Sequence, residues 1–305
     1  MTGSGKSKLA RQWMYSMMDF SMEYKYPVKI IYFSLEDPEL PVAKKVMQHY
    51  LYTRHRVDVS ISQLNSRISP ISDNILGLIK SEELFWRKID SMLMVINSIT
   101  SPNGIHQKVA EVAKEYGKTH HIVVVLDNQS NITADAEDDN EWAAIKRLSR
   151  NIIREKFCVN NITTLAVLQC DFDTEKNTFR NAGKGSLVTI EPNLASIGDA
   201  KVVARSMHYV FGLFDPSRFE IENYPKATDY NINILRGAFR SLIHLKSNED
   251  KIAPRFGLLF DGKHELFSEM PMVTNKDALN KIYERIMNDE RLRLTKISGK
   301  LMFGE

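Results

Sequence analysis

The sequence predicts an α/β fold: a mostly parallel central sheet with helices on both faces and a C-terminal β-hairpin. Three observations predict it. Short β-branched and aromatic runs alternate with helix-length segments through the first two-thirds of the chain. The runs are almost uniformly apolar, as in Ile122-Val123-Val124-Val125-Leu126, which marks strands covered on both faces. Three of them end on a polar residue, at Glu36, Asp127 and Gln169.

The elements follow in order. Residues 9–20 form an amphipathic helix. Val28-Lys29-Ile30-Ile31-Tyr32-Phe33-Ser34 is a buried strand, and Pro38 and Pro41 flank the start of a helix reaching about residue 51. Residues 73–96 read as helix plus strand. Residues 104–116 form a helix with Ile105, Val109, Val112, Ala113 and Tyr116 on one face and Gly117 at its end. After the strand 122–126, an acidic loop over 135–141 precedes a helix over 142–157. Residues 163–168 form another buried strand. A polar stretch over 171–193 leads to a short helix near Asp199 and a strand over 208–214. Residues 215–236 read as an irregular insertion. Residues 241–245 form a strand, and 256–260 with 265–267 form a hairpin around Asp261-Gly262, a type I′ turn signal. Residues 277–287 form a terminal helix, followed by a basic tail. No Pro/Gly/Ser-rich linker interrupts the chain and no repeat is present, so residues 1–270 read as one domain, with 271–305 as the helix and tail.

Composition excludes several classes. The 305 residues are 43% apolar, with 14 Phe, 11 Tyr and 3 Trp, which is too much core material for a disordered chain. Lys and Arg number 41 against 38 Asp and Glu, so any nucleic-acid contact must come from a local patch. No apolar run reaches about 18 residues, so no membrane contact is expected. Cys158 and Cys170 cannot build a disulfide framework and suggest a reducing, cytoplasmic setting. Neither they nor His120, His121 and His208 show metal-ligand spacing.

The opening residues carry chemistry. Gly3-Ser4-Gly5-Lys6-Ser7 matches the second half of the phosphate-binding pattern G-x-x-x-x-G-K-[ST]. Glycine lets backbone N–H groups turn inward around phosphate oxygens. Lys6 would meet the β- and γ-phosphates of ATP, Ser7 would give a hydroxyl ligand to Mg²⁺, and the following helix would point its N-terminus at the anion. The first glycine and the preceding strand fall before Met1, so the chain reads as beginning inside the motif.

Strand-end residues supply the rest. Ligands bind open parallel sheets at the C-terminal ends of their strands. A carboxylate at Asp127 suits Mg²⁺. Glu36 is placed to orient and deprotonate the attacking water. Gln169 is placed to read the γ-phosphate. Each also has a plainer reading: a turn-forming Asp, a helix-start charge and a strand-end amide.

The order Gly-Ser-Gly-Lys-Ser, Ile31-Tyr32-Phe33-Ser34-Leu35-Glu36, Val123-Val124-Val125-Leu126-Asp127 and Ala166-Val167-Leu168-Gln169 resembles the RecA-like motor domain of DnaB-type replicative helicases. The resemblance runs to about Met270. It implies a P-loop NTPase fold, with Glu36 as catalytic base. It also implies a hexameric ring with nucleotide between subunits, single-stranded DNA in the channel, and primase and loader partners. Translocation would run 5′ to 3′. Lys176, Arg180 and Lys184 would then grip DNA phosphates. Lys246 would reach the neighbouring subunit's nucleotide, although Asn248 stands where the family carries arginine. Asn128-Gln129 and Cys170-Asp171 also depart from the family, as in a divergent, phage-type member working in a bacterial host cytoplasm.

Three functions stay open at this stage. The first is an ATP-dependent DNA helicase. The second is a recombinase-like DNA-dependent ATPase. The third is a non-unwinding ring or loader that binds ATP.

Overall fold

The computed structural model describes residues 4–65, 71–169, 191–194, 201–219, 221–226, 228–249 and 255–303. The chain divides into two compact units. The first comprises residues 1–171, 194–210 and 261–266. The second comprises 172–193, 211–260 and 267–305.

The first unit is built on strands β1 (Val28–Ser34), β2 (Leu93–Ile96), β3 (His121–Asp127) and β4 (Thr163–Ala166), in the order β2-β1-β3-β4. All three pairings are parallel. Every residue of β1 is buried, as a strand covered on both faces requires. Period-two alternation sorts the side chains. Ile31, Phe33, Val124 and Leu126 share one cluster with Ile105, Val109 and Val112 of helix α6 (Pro102–Tyr116). Ile30, Tyr32, Val123 and Val125 share the other with Ala10, Met14 and Met18 of α1 (Lys6–Tyr24). Those three residues recur every fourth position, the stripe of an amphipathic helix. Helices α2 (Glu39–His55) and α5 (Glu83–Met92) complete this face through Val42, Val46, Ile89 and Met92.

The sequence reading of this unit holds, with changes at the ends of elements. α1 begins at Lys6 and runs to Tyr24. The helix expected over 142–157 divides into α7 (Glu141–Arg147) and wider, π-type turns over Leu148–Phe157. There the Ser149 hydroxyl donates to the Ile145 carbonyl at 2.8 Å, a back-bond that distorts helices locally. Asp199, near which a short helix was expected, lies outside the described residues. Helix α8 covers Lys201–Ser206.

In the second unit, β8 (Phe239–Ser247) pairs antiparallel with β9 (Arg255–Asp261), from Phe239 opposite Leu259 to Ile243 opposite Arg255. The sheet order is β10-β9-β8-β5, with β5 at Tyr209–Phe214 and β10 at Leu266–Glu269. Phe214, Tyr224 and Phe239 are fully buried within it. Two ion pairs are also buried there: Arg240 with Asp215 at 3.0 Å, and Arg255 with Glu191 at 2.5 Å. Tyr224 donates its hydroxyl to the same Glu191 at 2.7 Å.

Three expectations are corrected here. Residues 215–236 are not irregular throughout. They hold a two-stranded ladder, β6 (Asn223–Tyr224) with β7 (Tyr230–Asn231), and a short helix α9 (Ile232–Leu235) capped by the Asn231 side chain. The hairpin turn is four residues long, because the Asp261 carboxylate accepts the N–H groups of Lys263 and His264 and opens the turn. The terminal helix, α10, spans Lys276–Phe303, so the expected basic tail is a continuation of that helix.

Candidate nucleotide-binding site

Gly5 caps α1 at φ 100 and ψ 17, a left-handed backbone that only glycine adopts without strain. That conformation turns the chain directly into Lys6 and Ser7, the first residues of the helix. Ser4 is buried at 1% exposure, so the loop rests on the core instead of trailing into solvent. Gly3 lies outside the described residues.

Ser7 meets Asp127. Its Oγ donates to Asp127 Oδ1 at 2.7 Å, across 120 positions of sequence. The remaining strand-end residues gather on the same edge. Ser34 lies opposite Asp127 in the β1–β3 ladder, and the Leu35 N–H donates to the Asp127 carbonyl at 2.7 Å. Glu36 follows directly and is exposed. Beyond β4, Val167 donates to the Leu126 carbonyl at 2.9 Å, and the Gln169 N–H reaches Ser130 Oγ at 3.3 Å. Glu36, Asp127 and Gln169 therefore follow three adjacent parallel strands at their C-terminal ends. Lys246 lies in β8 of the second unit. Lys176, Arg180 and Lys184 lie outside the described residues.

The geometry adds residues that motif reading missed. Asp127 Oδ2 accepts the Tyr32 hydroxyl and the Arg11 guanidinium, the latter at 3.2 Å. Arg11 is only 2% exposed. Its second partner is Glu265 in the hairpin turn, met at 2.8–3.1 Å through Nε and Nη2. Tyr15 donates to Glu265 Oε2 at 2.9 Å. Burial works against the Arg11 charge, but the hydrogen bonds and charge of Glu265 outweigh it and hold the guanidinium firmly protonated. Burial also raises the Tyr15 and Tyr32 phenols, which therefore stay neutral donors. Arg11 had a readable signal: Ser7, Arg11 and Tyr15 recur at spacing four, putting a cation on the inward face of a helix. Glu265 had none, being 254 positions away from Arg11.

The acidic loop after β3 is also fixed. Arg147 of α7 meets Asp135 at 2.6 Å, Glu137 at 2.6 Å and Asp138 at 2.7 Å. The Arg147 hydrogen bond holds the Asp138 carboxyl below its ordinary range. For Asp135, burial pushes the other way, and bonds from Asn103, Ser101 and Arg147 bring the net shift down.

The donor set suits magnesium. A serine hydroxyl and one carboxylate are hard oxygen ligands, and Mg²⁺ is commonly held by one or two carboxylates together with substrate phosphates and water. Among the described residues no cluster of three or more His, Cys, Asp or Glu is arranged to hold a metal, so an all-protein cage is not offered there. No helix among the described residues is long and apolar enough to cross a membrane.

This fold, a parallel sheet edged by a phosphate-type loop together with an antiparallel hairpin sheet, is the RecA-like α/β fold of DnaB-like helicase ATPase domains. One solved ATPase domain of this kind aligns with a TM-score of 0.64 at 14% identity, over 89% of this chain and 82% of that one. A DnaB-like replicative helicase, whose structure was solved for its interactions with primase, aligns with a TM-score of 0.59 at 12% identity. That match takes in 79% of this chain and 50% of the helicase's length. No protein-family model matches the chain, and no curated protein matches it by sequence.

Proposed function

We propose that this chain is the ATP-hydrolysing motor of a replicative DNA helicase. It would act as a hexameric ring that translocates on single-stranded DNA and unwinds duplex, in a cytoplasmic setting. The observation that carries the reading is the 2.7 Å contact between Ser7 and Asp127 at the sheet edge that also bears Glu36.

Gly3, Ser4, Gly5 and Lys6 would cradle the phosphates, with the Lys6 ammonium countering their charge. Ser7 and Asp127 would hold Mg²⁺, which when bound offsets negative charge on the phosphate oxygens. Glu36, exposed beside this edge, would accept a proton from the attacking water. Gln169 would answer the loss of the γ-phosphate and pass it to the chain that follows. Lys176, Arg180 and Lys184 would meet the DNA backbone, and Lys246 the nucleotide of a neighbouring subunit. A primase and a loader are the expected protein partners. The motor domain would span residues 1–270.

One observation favours a second reading. Asn248 follows Lys246-Ser247 where an arginine is expected, which suits a ring that binds ATP with little turnover.

A forked DNA duplex with a fluorophore on one strand separates the readings. The helicase reading expects strand separation that requires ATP and Mg²⁺. DNA-stimulated hydrolysis without separation supports a recombinase-like ATPase. Tight ATP binding without stimulated turnover supports the non-unwinding ring.

A further inference from the structure

The pair Arg11–Glu265 is an unusual neighbour for a metal-binding carboxylate. A cation buried against Asp127 would repel a divalent ion, yet Arg11 is 2% exposed and donates directly to Asp127 Oδ2. Glu265, itself 4% exposed in its side chain, takes up that charge through three hydrogen bonds of 2.8–3.1 Å. The two charges sum to zero, and Asp127 keeps its own.

The two carboxylate oxygens are thereby divided. Oδ2 is occupied by Tyr32 and Arg11, while Oδ1 faces Ser7. The group that supplies Glu265 is held in place from several sides. Lys8 Nζ donates to the Gly262 carbonyl at 2.7 Å. His49 Nδ1 lies 2.9 Å from the His264 carbonyl. The His264 ring stacks on Tyr52 with centroids 3.6 Å apart, and its Nε2 is 2.9 Å from Asp58. The turn over 262–265 thus delivers one carboxylate to a fixed point behind the site.

Building on the nucleotide site proposed above, we infer that Arg11 and Glu265 are positioning residues. They form a charge-neutral clamp that presents Asp127 through Oδ1 and sets how much magnesium the site requires. A buried ion pair that served only to hold the fold would have no bearing on that requirement.

The test is the affinity of a fluorescent ATP analogue measured by its own emission across a magnesium titration, with no turnover needed. Glu265→Gln leaves Arg11 uncompensated, so the magnesium needed for half-maximal binding should rise about tenfold, the effect of one charge at an effective dielectric of about 20. Arg11→Gln leaves Glu265 uncompensated, so the requirement should fall by a similar factor. The double variant restores neutrality and should return to within about twofold of wild type. Far-ultraviolet circular dichroism selects the folded variants, and either single variant that folds decides the matter. A folded single variant with the wild-type requirement, or two shifts of the same sign, overturns the clamp and leaves the function standing. A wild-type chain whose analogue binding ignores magnesium overturns the proposed function and the clamp with it.

Discussion

At the scale of the residue, Asp127 is where the chain's separate parts meet. One oxygen receives the hydroxyl of a loop residue, and the other receives a phenol and a guanidinium. Replacing it with asparagine removes the charge that a divalent cation needs while keeping the shape. Asp127→Asn should lower ATP turnover by about a hundredfold or more, the share that a metal-held charge contributes. Its nucleotide binding should also become nearly indifferent to magnesium in a direct titration. Ser7 and Asp127 were readable from local pattern alone: a Gly-Lys-Ser run before a helix, and an apolar run closed by a carboxylate. Arg11 was half-readable, as a charge on an apolar stripe. Glu265 was not, because a contact across 254 positions leaves no local periodicity.

At the scale of the element, β1 and β3 were the most legible parts. Each is a short, mostly apolar run, and the parallel sheet explains why polar alternation is absent from both. The hairpin at 255–269 was legible as a hairpin but not in its turn, since the Asp261 side chain bonds along the loop and lengthens it. The π-type turns after α7 were not legible, because their apolar spacing is that of an ordinary helix. The acidic loop ahead of α7 makes a prediction about pH. Asp135 and Asp138 titrate below their ordinary values when folded, so the stability they contribute is present above about pH 4. It is lost as pH falls through those lower folded values. Arg147→Met removes the shared donor and should cost about 1–2 kcal/mol at pH 7, with charge-assisted hydrogen bonds discounted for the partly open site. The gap from wild type should narrow as the pH drops below about 4, in denaturant unfolding followed across pH. A gap that stays constant with pH would show that the Asp–Arg bonds do not carry it.

At the scale of the whole molecule, the near-neutral composition hides how its charge is distributed. The 41 basic and 38 acidic residues cancel in sum, yet the candidate site spends its charges in buried, named pairs. The α/β class followed from alternation of strand and helix, a property of the full length. The grouping of strands into two sheets did not, because β5 and β8 read like any other buried strands and their partners are set by tertiary packing. The likeness to a solved helicase ATPase domain at 14% identity shows how far sequences can drift while such a sheet and loop persist. What that fold does in this chain turns on one carboxylate. The most direct measurement compares DNA-stimulated ATP hydrolysis by the wild-type chain and Glu36→Gln, with ATP binding followed in parallel. The account predicts that binding stays within about threefold while turnover falls by about 10²–10⁴, the contribution of a positioned general base. Turnover that survives the substitution undiminished would contradict it.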